Sequence, residues 1–212
     1  MATLKTKLEL TWIGKETRHK LEPRLLVEDP AKSHHAPFRV GKNDFFDNRL
    51  IFGDNLLALK ALEQEFGGKI KCIYIDPPYN TGSAFEHYDD GMEHSLWLTL
   101  MRDRLELLRS LLAPDGVFFC SIDDSEVAYL TFLLDEVFGR RNGCGQFVWE
   151  KKKKPSFLNA SMGIVTEYIL AYAKDRSLSP AFIGGLTTAG KKYPLNNAGN
   201  GVRILTFPVG AV

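Results

Sequence analysis

Apolar residues fall along this chain in alternating helical and strand rhythms. Arg49 to Gly53 reads as a short strand. Asp54-Asn55 is a natural helix cap, and Leu56, Leu57, Leu59, Leu62 and Phe66 follow at helical spacing until Gly67-Gly68 ends the run. Ile70 to Ile75 is almost continuously apolar, the pattern of a strand covered on both faces. Trp97, Met101, Leu105, Leu108 and Leu112 form one stripe over residues 95–112, opposite Arg102, Asp103, Glu106 and Arg109, and predict a core-facing helix. Pro114-Asp115-Gly116 marks a turn. Val117 to Ile122 is a second buried strand, and Val127, Leu130, Leu134 and Val137 trace a third helix closed by Gly139. Gln146 to Trp149 and Tyr168 to Ala173 read as two further strands. The alternation of strands and helices predicts an α/β fold, mostly parallel, with the last two strands as an antiparallel pair.

Residues 1–45 are polar and broken by Pro23, Pro30 and Pro37, which predicts an irregular extension before a domain over 46–175. Residues 176–212 are loop-like. Composition changes this picture little: 212 residues, 44% hydrophobic and 25% charged, support one ordinary core. The net charge of +1 supplies no global field toward nucleic acid, so DNA contacts would have to be local. Cys72, Cys120 and Cys144 lack metal-ligand spacing and read as small buried residues of a reducing compartment. His34-His35 lacks a converging third ligand, so no metal is expected. No leader sequence opens the chain and no apolar stretch reaches about 18 residues, which predicts a cytoplasmic protein without a membrane span.

The candidate chemistry lies at the end of the apolar run, in Asp76-Pro77-Pro78-Tyr79. On average composition this tetrapeptide arises by chance in about one chain in a thousand. In open α/β sheets, ligands bind beyond the carboxyl ends of the strands, where Asp54, Asp76 and Asp123 each stand. An exocyclic amine on a nucleobase is a poor nucleophile because its lone pair is delocalised into the ring. Two acceptors that take its N–H bonds favour a tetrahedral nitrogen and aim the lone pair outward. The Asp76 carboxylate is one such acceptor. The Pro77 carbonyl is the other, presented by a turn that proline stiffens. Tyr79 offers a face on which an extruded base stacks.

With these residues in view, the chain resembles the amino-methylating DNA methyltransferases, and more narrowly the modification subunits of type III restriction-modification systems. The resemblance runs from Arg49 to about Lys174. It is carried by Phe52-Gly53-Asp54-Asn55, Tyr74 through Gly82, His94 through Leu98, Arg104-Leu105, Ile122-Asp123-Asp124 with Glu126, Glu136 through Gly139, Trp149 and Glu167-Tyr168. It implies a partial Rossmann-like methyltransferase sheet, S-adenosyl-L-methionine as methyl donor, and adenine N6 in double-stranded DNA as acceptor. Asp in the first motif position resembles adenine methylases more than cytosine-N4 methylases. The rival readings are cytosine-N4 methylation and a non-catalytic DNA-binding or subunit-pairing remnant.

The resemblance also implies roles at matching positions. Asp76, Pro77, Pro78 and Tyr79 would hold the base, and Asp54, Asn55, Asp76 and Asp123 would face the donor. For Asp54 and Asp123 a plain helix cap is the competing reading. Lys151, Lys152, Lys153 and Lys154 are either a solvated loop or phosphate contacts that position DNA without reading sequence. The family's Phe-x-Gly-x-Gly donor loop has no counterpart here, and Gly199-Asn200-Gly201 reads as a turn. The chain therefore reads as the N-terminal portion of a longer enzyme, with residues 176–212 opening a target-recognition region. The partners this leaves open are a second copy, a restriction subunit and a complementary C-terminal fragment.

Overall fold

The computed structural model describes residues 9–18, 20–22, 24–34, 38, 41–42, 48–80, 93–151 and 165–182, together with the backbone of 195–197 and 200–202. Helix α1 spans Asn55–Phe66 and strand β1 Ile70–Ile75. Helix α2 (His94–Leu111) leads into β2 (Leu112–Ile122). Helix α3 (Val127–Leu134) runs on through a π-helical turn at Asp135–Gly139, where Gly139 takes φ +89°. Strands β3 (Gly143–Glu150) and β4 (Thr166–Ala173) follow, and β5 (Leu195–Asn197) pairs antiparallel with β6 (Asn200–Val202).

The main sheet has four strands in the order β1-β2-β4-β3. Strands β1 and β2 are parallel, joined across α2. Strand β4 lies antiparallel to both β2 and β3, so the predicted antiparallel pair is present and abuts the parallel part directly. The turn expected at Pro114 to Gly116 is instead an irregularity within β2: β1 residues Ile70 and Cys72 pair with Leu112 and Val117. A Cβ on Gly116 would lie 2.7 Å from the Ile70 carbonyl oxygen, so only glycine fits that close approach.

Side chains alternate across a strand, and the register assigns each to a face. Ile73, Ile75, Phe118, Cys120, Leu170 and Tyr172 share one face, under α2 and α3. Trp97, Met101, Leu105, Phe118, Leu130 and Phe138 are essentially inaccessible there. Phe118 and Phe138 stack with centroids 5.1 Å apart. The opposite face carries Cys72, Tyr74, Phe119, Ser121, Ile169, Phe147 and Trp149. Phe182 meets Phe119 and Phe147 edge-on there, while Tyr74 and Trp149 stay exposed.

Two expectations are corrected here. Strand β1 is not covered on both faces: Lys71, Cys72 and Tyr74 are exposed, so Cys72 is not a buried thiol, whereas Cys120 is. Among the described residues, nothing covers that face of β1 at Cys72 and Tyr74. Residues 49–53 form no strand. Leu50 and Phe52 are fully exposed, and Arg49 instead pairs with Glu65 at 2.8 Å. A strand needs a neighbour to satisfy its backbone groups, and among the described residues none lies beside the outer edge of β1.

The N-terminal segment is more ordered than its polarity predicts. Residues 9–18 strap across α2. The Trp12 indole donates to Thr99 Oγ1 at 2.9 Å, and Arg102 donates to the Lys15 and Thr17 carbonyls. Lys15 is buried, with its ammonium between Glu9 and Glu136 at 2.9 Å each. No described helix is long and apolar enough to cross a membrane.

Candidate active site

Period-two alternation carries Asp76, directly after β1, onto the same face as Cys72 and Tyr74. That face holds a cleft of about 240 Å³, lined by Tyr74, Asp76, Tyr79, Ser121, Trp149, Glu167, Tyr168 and Ile169. The sheet brings these together from four places: β1 and its turn, β2, β3 and β4. Ser121 pairs with Ile169, and Trp149 with Glu167, so the register of three strands places one row of side chains beside the motif.

Asp76 is exposed to solvent and, among the described residues, has no ion-pair partner. Its carboxylate accepts from the Tyr79 hydroxyl and keeps further lone pairs for a ligand. Burial pushes the Tyr79 phenol well above its ordinary value, and the neighbouring Asp76 and Glu167 carboxylates add to the shift. Tyr79 stays a neutral hydroxyl throughout the physiological range. The two motif prolines differ in their commitments. The Pro78 carbonyl accepts the Trp97 indole N–H at 2.8 Å, which ties the turn to α2. Asn80 follows with φ +58°, a left-handed conformation that asparagine tolerates and that turns the chain sharply after Tyr79.

The rim is fixed by further contacts. The Tyr74 hydroxyl and Ser121 Oγ are hydrogen-bonded. Tyr168 donates to Asp124 Oδ1 at 2.6 Å, and that carboxylate holds the phenol above its usual range. Glu167 pairs with Lys151 at 2.8 Å. Four aromatic rings and two carboxylates thus surround a space smaller than the roughly 300–1,000 Å³ of ordinary small-molecule pockets. Such a site suits one planar heteroaromatic ring that carries N–H donors.

The other candidate residues lie elsewhere. Asp54 caps α1, accepting from Leu56 N at 3.0 Å and Leu57 N at 3.1 Å, and Asn55 Oδ1 accepts from Arg104 Nε at 2.7 Å. Asp123 is buried and accepts from Ser125 N at 2.9 Å in the turn before α3, whose N-cap is Glu126, while β2 contributes Ser121 to the cleft. Lys151 is engaged by Glu167, and Lys152, Lys153 and Lys154 lie outside the described residues. Trp149, Glu167, Tyr168 and Ser121 carry no assigned role in the sequence reading. Only their strand register, which spacing alone does not supply, brings them to Asp76.

With this geometry in place, comparison with known proteins is direct. Residues 70–198 match the N6/N4 DNA methylase family. The chain is 44% identical over 143 residues to the "Probable type III restriction-modification enzyme HindVI Mod subunit" of Haemophilus influenzae, a match covering 64% of this chain and 19% of that protein. It is 34% identical over 196 residues to the StyLTI Mod subunit of Salmonella typhimurium (78% of this chain, 30% of that one). It is 36% identical over 208 residues to the EcoPI Mod subunit of Escherichia phage P1 (82% and 31%). The chain therefore spans 19% to 31% of the length of these curated relatives. Among solved structures, the M1.HpyAVI–SAM complex is similar at a TM-score of 0.45 and 16% identity, over 70% of each chain.

Proposed function

Because this chain belongs to the N6/N4 DNA methylase family, we propose that it carries the base-binding half of an S-adenosylmethionine-dependent adenine-N6 DNA methyltransferase. The observation that carries the reading is an exposed carboxylate, Asp76, beside the Tyr79 hydroxyl at the carboxyl end of β1 inside an aromatic cleft.

An adenine taken out of the duplex stacks on Tyr79, with Trp149 and Tyr168 among the residues walling the cleft; such stacking is worth about 1–3 kcal/mol per base. Asp76 accepts one amine N–H. Trp97 already engages the Pro78 carbonyl, and Pro77 supplies the second acceptor in this reading. The nitrogen lone pair is then aimed at the methyl group, and positioning with electrostatic stabilisation supplies the catalysis. Bound S-adenosylmethionine supplies an already activated methyl group on a sulfonium.

The described residues fit this donor at its reactive end only. Asp76 sets an anion beside the place for the sulfonium, whereas Asp54 and Asn55 are held by the α1 cap and Arg104. The adenosine end of the donor therefore falls to Asp123 and to polypeptide beyond the described residues. Double-stranded DNA is the partner in this reading, Lys151 to Lys154 are its candidate phosphate contacts, and residues 176–212 open the target-recognition region. A cytoplasmic location, a second copy and a restriction subunit are further parts of this proposal; the names of the type III Mod relatives support the restriction subunit.

Transfer of tritiated methyl groups to bacterial genomic DNA tests this. The chain is assayed alone and with a complementary C-terminal polypeptide. Label in N6-methyladenosine is the expected result. Label in N4-methylcytosine selects the cytosine enzyme, and no label in either arm rejects the enzymatic reading of this chain.

A further inference from the structure

A buried carboxylate that the chemistry above does not use lies behind the motif. Glu126 is 3% exposed. It stands directly before α3, the position from which side chains commonly cap a helix, yet it makes no cap hydrogen bond. Its carboxylate points instead to the motif turn and to α2. One oxygen, Oε1, accepts from Asn80 Nδ2 at 2.9 Å and meets His94 Nδ1 at 2.9 Å. Asn80 is the residue after Tyr79, and His94 is the first residue of α2. A single buried atom thus ties together both ends of the connection from β1 to α2. His94 is itself held edge-on by Tyr129 of α3, with centroids 4.3 Å apart.

Burying a carboxylate is costly unless it is hydrogen-bonded to donors. Capping would satisfy the same group at the helix end, nearer to water. The observed arrangement uses it to hold Asn80 in its left-handed turn, which sets the direction in which Tyr79 leaves the backbone. From the other side, Trp97 fixes the Pro78 carbonyl. We infer that Glu126 is a positioning residue of the base-binding site, anchoring the Tyr79–Asn80 turn to α2 and α3 so that the Tyr79 ring and Asp76 meet the same base. This rests on the function proposed above for its catalytic consequence, but the anchoring itself is measurable without turnover.

Three variants test it: Glu126→Ala, Glu126→Gln and Asn80→Ala. Glutamine keeps an acceptor at Oε1, and the atom it replaces, Oε2, has no hydrogen-bond partner among the described residues, so it should restore the anchor. Hydrogen exchange on the full chain is read at the Tyr79 and Asn80 amides. In Glu126→Ala these should open about 10–100-fold more readily, the scale of a lost hydrogen bond to a charged group, with the sheet amides unchanged. Methyl transfer to genomic DNA, with the C-terminal polypeptide added where wild type needs it, should lose about 10²-fold in kcat at little cost in KM for DNA. Glu126→Gln should restore both readouts. If Glu126→Ala does not fold, Asn80→Ala removes a donor from the other end and is read in the same way. Wild-type kcat in Glu126→Ala overturns the inference and leaves the enzymatic reading standing. If wild type transfers no methyl group, that reading falls and exchange alone decides: unchanged Tyr79 and Asn80 amides overturn the anchor, and local opening reversed by glutamine supports it.

Discussion

The two faces of the main sheet are built from the same strands and differ in what lies on them. One is packed under α2 and α3, with Trp97, Phe118 and Phe138 at 0–2% exposure. The other exposes Tyr74 at 59% and Trp149 at 60%, and it holds the cleft. The packed face gives stability because helices exclude water from a continuous apolar layer. The open face carries the candidate site because its aromatic and acidic side chains, though hydrogen-bonded at the rim, leave a cleft open to solvent. The packed core and most of the candidate site are therefore separated by the period-two alternation of β1, β2 and β4, with Tyr168 reaching the cleft rim from the packed side.

This contrast can be broken most forcefully at Phe118. Truncation to alanine should cost about 3–5 kcal/mol, the usual penalty for a buried phenylalanine. Phe147→Ala, on the open face, should cost no more than about 1.5 kcal/mol, the value of one aromatic pair. Equal shifts in urea midpoint for the two would abolish the distinction between the faces. On the open face the largest effect belongs to Asp76→Ala. It should reduce methyl transfer by about 10²–10³-fold or more while DNA retention in a gel-shift assay stays near wild type. Loss of DNA retention in step with activity would reassign Asp76 to binding.

A smaller effect sharpens the aromatic part of the cleft. Tyr79→Ala should weaken base capture by about 1–3 kcal/mol, seen as reduced 2-aminopurine fluorescence enhancement in a DNA duplex. Tyr79→Phe should keep most of it, because stacking needs only the ring; equal losses in the two variants would assign the work to the hydroxyl. The smallest effect tests the N-terminal strap. Trp12→Phe removes the hydrogen bond to Thr99 and should cost about 1 kcal/mol in a denaturation midpoint, without altering methyl transfer. A change in activity there would connect the strap to the site.

Much of the packed face was legible from spacing. The stripe from Trp97 to Leu108 and the run from Val117 to Ile122 carry the periods of their elements, and helix and strand form where expected. The strap was not legible, because a buried lysine held by Glu9 and Glu136 leaves no periodic trace in sequence. Arg49 to Gly53 misled for the opposite reason: its residues suit a strand, but strand formation depends on a neighbour. Within the site, Asp76 and Tyr79 were legible as chemistry, because the residue types and their adjacency are themselves the signal. Trp149 and Glu167 were not, since antiparallel pairing over residues 143–173 selects which of their side chains face the cleft.

The sequence by itself determined the candidate motif and most of the elements around it. Local spacing sets helix and strand, and Asp76-Pro77-Pro78-Tyr79 needs no distant contact to present a carboxylate, two carbonyls and a ring. Only the tertiary structure decided which proline carbonyl is taken by Trp97, which aromatic rings join Tyr79, and that Glu126 closes both ends of the turn from behind. Those choices depend on strand register and helix packing, which bring together residues 19 and 46 positions apart through side-chain hydrogen bonds.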